Sequence, residues 1–359
     1  MRAGSPVRAV HVVLPGDIDD PATPSGGNRY DRRVCQGLTA LGWSVREHAV
    51  RGGWPQPDPT ARAGLARVLS GVPDGALVLL DGLVASCVPE VLRPHAERLR
   101  LVVLVHLPLA DDAERQALAA AQAIVATSAW TQRRLEDLYA LPAHRIHVAA
   151  PGVDAAPPAP GSAGGTALLC VAAVAPHKGH DLLVEALATV ADRPWTCTCV
   201  GPLHRDPGFV DGLRGRIDGY GLAGRVRLVG PRTGQALDDA YAAADLLVLA
   251  SRGETYGMVV TEALARGIPV VATATDGLPE SLGRAPDGSV PGLVVPGEDP
   301  PALAAALRRW LTDPELRQRL RRSAHGRRTT LRRWDVTAEL ISQALSGVRA
   351  PRATVRRSA

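Results

Sequence analysis

The chain has 359 residues, 41 basic and 36 acidic side chains, a formal net charge of +5 and 46% hydrophobic residues. That is longer than one typical domain and suits two, each able to bury its own core. No apolar run reaches the ~18 residues a membrane span needs, and MRAGSPVRAVHVVLPG leads into a strand without a signal-peptide cleavage pattern, so a cytoplasmic protein is expected.

Short β-branched apolar runs alternate with helical patterns through the first half. Strands are predicted at AVHVVLP (9–15), WSVREHAV (43–50), ALVLLDG (76–82), LRLVVLVHL (99–107), AIVATS (123–128) and RIHVAA (145–150). Amphipathic stretches such as YDRRVCQGLTAL and TQRRLEDLYAL separate them. Near-continuous apolar strands between helices imply a parallel sheet covered on both faces.

The segment PGVDAAPPAPGSAGG (151–165), dense in Pro, Gly and Ala, reads as a linker. A second alternation follows at ALLCVAAV (167–174), WTCTCVG (195–201), RVRLVG (225–230), DLLVLAS (245–251), IPVVATAT (268–275) and GLVVPG (292–297). Helices are predicted near 299–311, 314–325 and 335–346. The expected organisation is a first α/β domain over 1–155, a linker over 156–165, a second α/β domain over 166–333, a closing helix over 334–348, and a basic disordered tail over 349–359. Both domains are read as doubly wound and Rossmann-like, with a cleft between their strand ends. Ligands of such sheets bind beyond the carboxyl ends of the strands.

Codon drift explains part of the composition. Forty of the 41 basic residues are arginine, and the single lysine is Lys178; the single asparagine is Asn28. A lysine that survives such drift is expected to be held by chemistry. Cys35, Cys87, Cys170, Cys197 and Cys199 are odd in number and lie mostly in apolar segments, which reads as buried thiols.

Four strand-end segments carry residues suited to chemistry. In PSGGNRYD (24–31), Gly26 and Gly27 permit close backbone approach before a helix, with Asn28 in the glycine-bearing turn. The spacing is not GxGxxG, which counts against a dinucleotide cofactor. His106 ends a very apolar strand. In HKG (177–179), a flexible ammonium before glycine and a helix suits phosphate. In SRGETYGMVVTEALARGIPVVAT (251–273), a helix starting near Gly257 would contain Glu262, follow Glu254, and offer the free N–H groups of Gly257 and Met258. Two carboxylates so placed can accept hydrogen bonds from sugar hydroxyls.

At this last string the chain resembles the family 4 glycosyltransferases, which have the two-domain GT-B fold. The resemblance also rests on Gly26-Gly27, His106, VATSAWTQRRL (125–135), HVAAPGVD (147–154), Lys178-Gly179 and Trp334-Asp335. It implies a nucleotide-sugar donor held mainly by the second domain, and it makes the first the acceptor-binding domain. Glu254 would bind donor-sugar hydroxyls, Glu262 the ribose, and Lys178 the diphosphate, with Gly27 approaching the diphosphate and His106 near the reacting sugar. It further implies retention of configuration and a final helix packed on the first domain. The family's Gly-Arg before the lysine reads Ala172-Ala173 here. Arg29, Arg232 and Arg252 are the candidate replacements.

The expectation is a glycosyltransferase without a cofactor, using a nucleotide-diphosphate sugar as co-substrate. No Asp-x-Asp pair follows a second-domain strand, so metal-independent chemistry is expected. No nucleic-acid partner is expected. The rivals are a sugar-nucleotide epimerase of similar architecture and a non-catalytic sugar-nucleotide-binding subunit. Ten arginines between Arg308 and Arg333 read as a solvated helix face. The alternative is peripheral contact with an anionic inner-membrane surface, with Leu316, Leu320, Leu331 and Trp334 supplying apolar contact.

Overall fold

The computed structural model describes residues 8–162 and 164–348. The tail expected over 349–359 lies outside the described residues. All twelve predicted strands form. In the first unit they are β1 (Ala9–Pro15), β2 (Ser44–Val50), β3 (Leu77–Asp81), β4 (Arg100–Val105), β5 (Ala123–Ala126) and β6 (Ile146–Val148). In the second they are β7 (Ala167–Val171), β8 (Thr196–Val200), β9 (Val226–Leu228), β10 (Leu246–Leu249), β11 (Val270–Thr273) and β12 (Gly292–Val295). Most are shorter than their apolar runs, whose outer residues turn away from the ladder into strand-end loops. Every pairing is parallel.

The sheet orders are β2-β1-β3-β4-β5-β6 and β12-β11-β10-β7-β8-β9. Each order reverses once, between β1 and β3 in the first unit and between β10 and β7 in the second. These are the points where doubly wound sheets open a ligand crevice. The central strands are covered on both faces: β3, β5, β10 and β11 are buried at every residue. This is why they read as unbroken apolar runs without alternation.

Of the described residues, the first unit comprises 8–19, 25–151 and 334–348, and the second 20–24, 152–162 and 164–333. The first unit thus includes the closing helix, Trp334–Gly347. That helix lies against the Gly26–Ala40 helix, where a Cβ on Gly37 would sit 2.4 Å from the Ala338 Cβ. Trp43 Nε1 donates to Ser342 Oγ at 2.9 Å and Thr337 Oγ1 to the Ala150 carbonyl at 2.9 Å. The close helix contact therefore requires glycine at 37.

The division falls at Pro151/Gly152, a few residues before the expected boundary. The Pro- and Ala-rich segment after it is tied to the second unit. Val153 N donates to the Arg332 carbonyl, Ala159 N to the Arg266 carbonyl, and Arg328 Nη2 to the Ala156 carbonyl. Proline and alanine predict a lack of regular structure here, but backbone groups still need partners and find them on the neighbouring surface.

The arginine-rich stretch forms the Pro314–Arg327 helix. Leu316 and Leu320 are buried in the second core, and Leu331 packs against it. Trp334 stacks edge-on against Tyr30 in the first unit. The apolar contact proposed for a membrane surface is thus turned inward. Several of the arginines also serve the fold. Arg321 bonds Asp245 and the Ser162 carbonyl, and Arg308 makes two bonds to Asp192. Among the described residues, no helix is long and apolar enough to cross a membrane.

Candidate functional site

In the second unit, the sheet reversal places the loop after β7 beside the loop after β10. A short 3-10 turn, Pro176–Lys178, carries the lysine and ends at Gly179, whose φ of +66° is left-handed. A Cβ at Gly179 would lie 1.9 Å from the Ala250 carbonyl oxygen, so only glycine fits. Arg252 N donates to the His177 carbonyl at 2.8 Å and stitches the two loops together.

This junction brings Lys178 and Glu254 into contact: Nζ donates to Oε2 at 2.7 Å, with side chains 20% and 17% exposed. The backbone of Glu254 is fixed by its N–H to Asp276 Oδ2 and its carbonyl to Gly277 N–H. The helix Met258–Ala265 starts after Gly257, at φ +86°, with no side-chain cap and no acidic residue in its first turn. The helix His180–Ala188 likewise has no side-chain cap at Gly179. Two helix starts without side-chain caps flank the ion pair; that of Met258–Ala265 offers its N–H groups and positive dipole end to an anion, whereas that of His180–Ala188 carries the Asp181 carboxylate in its first turn.

Glu262 lies inside the Met258–Ala265 helix and is 6% exposed. Its Oε2 accepts from Tyr241 Oη at 2.7 Å, and Arg266 lies over the Tyr241 ring at 4.5 Å. Sequence reasoning missed Tyr241. Its signal was a lone aromatic in the small-residue run DDAYAAAD.

The candidate diphosphate cations are placed differently. Arg252 donates twice to Asp181, at 2.9 and 2.8 Å, and also to Glu298 and the Pro176 carbonyl. Against the effect of burial, Arg252 holds the Asp181 carboxyl below its ordinary range. Its guanidinium is committed to bracing the lysine turn, which makes Arg252 a poor replacement for a phosphate-binding arginine. Arg232 is exposed in the loop after β9. Arg29 lies in the first unit, on the Gly26–Ala40 helix. Arg205, which sequence reasoning passed over, is close enough to His177 to disfavour its protonation, after burial and Lys178.

In the first unit, Gly26 and Gly27 belong to the helix itself, and so does Asn28; no separate glycine turn exists. Ser25 caps that helix by accepting from Asn28 N at 3.0 Å, which fixes its start at Gly26, ahead of the amphipathic stretch that begins at Tyr30. The Asn28 side chain donates to the Asp17 carbonyl at 3.2 Å. One turn on, Asp31 faces the sheet and is 2% exposed.

His106 follows β4 and contacts two carboxylates through one nitrogen: Nε2 is 2.8 Å from Asp31 Oδ1 and 3.5 Å from Asp81 Oδ2. Asp81 ends β3, and its Oδ1 accepts from Leu83 N and Val84 N. Tyr30 meets the imidazole edge-on at 5.1 Å, and a Cβ on Gly27 would lie 3.4 Å from its Cδ2. Burial alone would lower the His106 pKa, but Asp31 and then Asp81 outweigh it and hold the imidazole above its ordinary value. Burial, followed by the Asp31 charge, pushes the Asp81 carboxyl up to about 8.

Two groups bring potential metal-ligand atoms within 4.8 Å of one another: Asp31, Asp81 and His106, and Cys170, His180 and Cys199. Cys170 and Cys199 are register partners on β7 and β8, at 1% exposure each. The Cys170 hydrogen bond with Cys199, together with burial, holds the Cys170 thiol well above its ordinary pKa. For Cys199, the Cys170 contact acts downward but Cys197 and burial outweigh it. Both are neutral thiols in an apolar core rather than the thiolates a metal binds.

Two parallel six-stranded sheets, each reversing its strand order once, define a two-domain, Rossmann-like GT-B protein. A glycosyltransferase from Rickettsia africae has the same fold at a TM-score of 0.75 and 17% identity, over 96% of this chain and 99% of that one. Anabaena HepE, in complex with UDP-glucose, matches at a TM-score of 0.72 and 18% identity, over 94% and 99%. The model described as Glycosyltransferase Family 4 matches residues 76–156, and that of Glycosyl transferases group 1 matches residues 159–327. The chain belongs to the family 4 glycosyltransferases. The D-inositol 3-phosphate glycosyltransferase of Kineococcus radiotolerans is 35% identical over 253 residues, 63% of this chain and 57% of that protein. The protein of the same name from Xylanimonas cellulosilytica is 36% identical over 244 residues, again 63% and 57%. The chain thus spans less than two thirds of the length of these curated relatives.

Proposed function

We propose that the protein transfers a sugar from a nucleoside-diphosphate donor to an acceptor hydroxyl with retention of configuration. The observation that carries this reading is the Lys178–Glu254 pair, set between two uncapped helix starts at the reversal point of the second sheet. An ammonium and the N–H groups at the start of the Met258–Ala265 helix suit a diphosphate, and the carboxylate beside them suits sugar hydroxyls. Glu262, steadied by Tyr241, would accept the ribose hydroxyls.

On this reading Lys178 and the helix N–H groups stabilise charge on the departing diphosphate, and its oxygen takes the acceptor proton on the same face. The arrangement gives the leaving group its positive partners without a metal ion. A thermal-shift screen of nucleotide sugars is the first test, since a ligand of the native state raises the Tm with concentration. Turnover of the best donor against inositol phosphates, as the relatives' names suggest, and other polyols follows. If no nucleotide sugar shifts the Tm, the reading fails.

A second reading is a binding subunit without turnover. It is motivated by Ala173 and by the commitment of Arg252 to Asp181 and Glu298. A Tm shift with a donor, but no product with any acceptor, would favour it.

A further inference from the structure

The cluster at the carboxyl ends of β3 and β4 is built more tightly than sugar binding alone requires. Asp31, Asp81 and His106 come from three elements, and both carboxylates are at most 3% exposed. Unpaired charges are costly at such depth, so the cluster has to share protons. Asp31 Oδ2 is fully buried with no hydrogen-bond partner, while Asp81 is held up toward the protonated form by burial and by Asp31. A proton resident on Asp81 supplies that missing partner. The other oxygen, Asp31 Oδ1, faces His106 Nε2 at 2.8 Å.

The imidazole has two distinct nitrogens here. Nε2 is taken by the carboxylates. Among the described residues Nδ1 has no hydrogen-bond partner, yet it is not one of the fully buried unpartnered atoms, and the side chain keeps 14% exposure. Gly27 and Tyr30 close the ring's remaining sides. The titratable groups facing it are Asp31 and Tyr30 on the Gly26–Ala40 helix and Asp81 on β3.

We propose that Asp31 and Asp81 are positioning residues: they fix the ring of His106 through Nε2 and keep it doubly protonated, leaving Nδ1–H to donate to a substrate oxygen at the end of β4. The same groups without Asp31 would give a neutral ring whose free nitrogen accepts instead of donating. The inference rests on the sugar-transfer reading for its substrate, but not for its protonation state.

The test uses the full chain. Long-range nitrogen NMR of the imidazoles, with the His106 signal assigned by its loss in His106→Gln, reads the ring directly. In the native protein both nitrogens should be protonated at pH 7.5. In Asp31→Asn the ring should titrate at least about one unit lower, a tenfold change in its protonation equilibrium. Asp81→Asn, which can still cap Leu83 and Val84, should change the titration without unfolding the chain. With a cognate donor, Asp31→Asn should lose kcat about tenfold at pH 8, and the alkaline limb of its pH profile should move to lower pH at little cost in donor KM. A neutral His106 in the native protein at pH 7.5 would overturn the proposal, as would Asp31→Asn with an unchanged titration. Absence of turnover with every donor would count against the sugar-transfer reading alone, because the NMR result still decides the protonation state.

Discussion

The two sheets share one architecture and use their reversal points in opposite ways. In the second unit the strand-end helices start at left-handed glycines without side-chain caps, and the charged side chains remain partly open. In the first, Ser25 caps the helix and the charged groups are buried against one another. One strand-end cluster pairs an ammonium with a carboxylate beside helix starts that lack side-chain caps; the other buries two carboxylates against one imidazole. The difference arises from a few residues placed on a common frame, so fold alone does not predict it.

The contrast breaks most visibly at the lysine. Lys178→Ala removes the side-chain cation in direct contact with Glu254 and should cut kcat/KM by about 100-fold or more, roughly 3 kcal/mol. Lys178→Arg should restore part of this, because a planar fork does not replace a compact ammonium. Steady-state kinetics with a cognate donor decides it; near-normal values for the alanine variant would show that Lys178 holds no part of the donor's charge.

A smaller effect separates the two glutamates. Glu262→Ala should weaken nucleoside diphosphate binding by about 1.5–3 kcal/mol for each charge-assisted bond lost, and Tyr241→Phe by about 1 kcal/mol or less. Glu254→Ala should spare diphosphate affinity and reduce turnover of the intact donor. Calorimetry with both ligands checks this, and equal diphosphate losses at both glutamates would refute the division of roles.

The first unit makes its own prediction through pH. Asp81 moves from 3.8 to about 8 on folding, so the folded state keeps a proton that the unfolded chain releases. Its contribution to stability therefore falls as pH rises through that window. The raised His106 pKa acts in the same direction above its ordinary value. Asp81→Asn should flatten the decline in Tm between pH 4 and 8. A parallel decline in the variant would mean that other groups govern it.

The smallest effect expected concerns the arginine-rich helix. With Leu316 and Leu320 buried and the guanidinium groups of Arg308 and Arg321 engaged, any attraction to anionic vesicles should be weak and lost at moderate salt. Sedimentation that persists at physiological salt would show apolar contact that the fold does not offer.

Much of this contrast was legible beforehand. The central strands announced themselves because both of their faces are covered, which leaves no polar residue in β10 and none in β3 before its closing Asp81. The helix start near Gly257 with Glu262 inside it was expected from the sequence; the left-handed φ of Gly257 was not. The partnerships did not, because spacing along the chain says nothing about which strand ends become neighbours. Lys178 and Glu254 are 76 positions apart and meet only because β7 and β10 pair. Asp31 lay hidden in an amphipathic pattern that reads as a solvated helix. Its burial could have been inferred only alongside Asp81, the one carboxylate that ends an otherwise wholly apolar strand.

The lone lysine has a practical consequence. Because the chain contains a single ε-amino group, and that group sits on the glycine-locked turn beside Glu254, an amine-directed reagent has one side-chain target in the molecule. Apart from the α-amino group, the chain therefore offers one amine for labelling. The rate at which a fluorophore or mass tag attaches there reports how open the Lys178–Glu254 contact is, without any engineered residue.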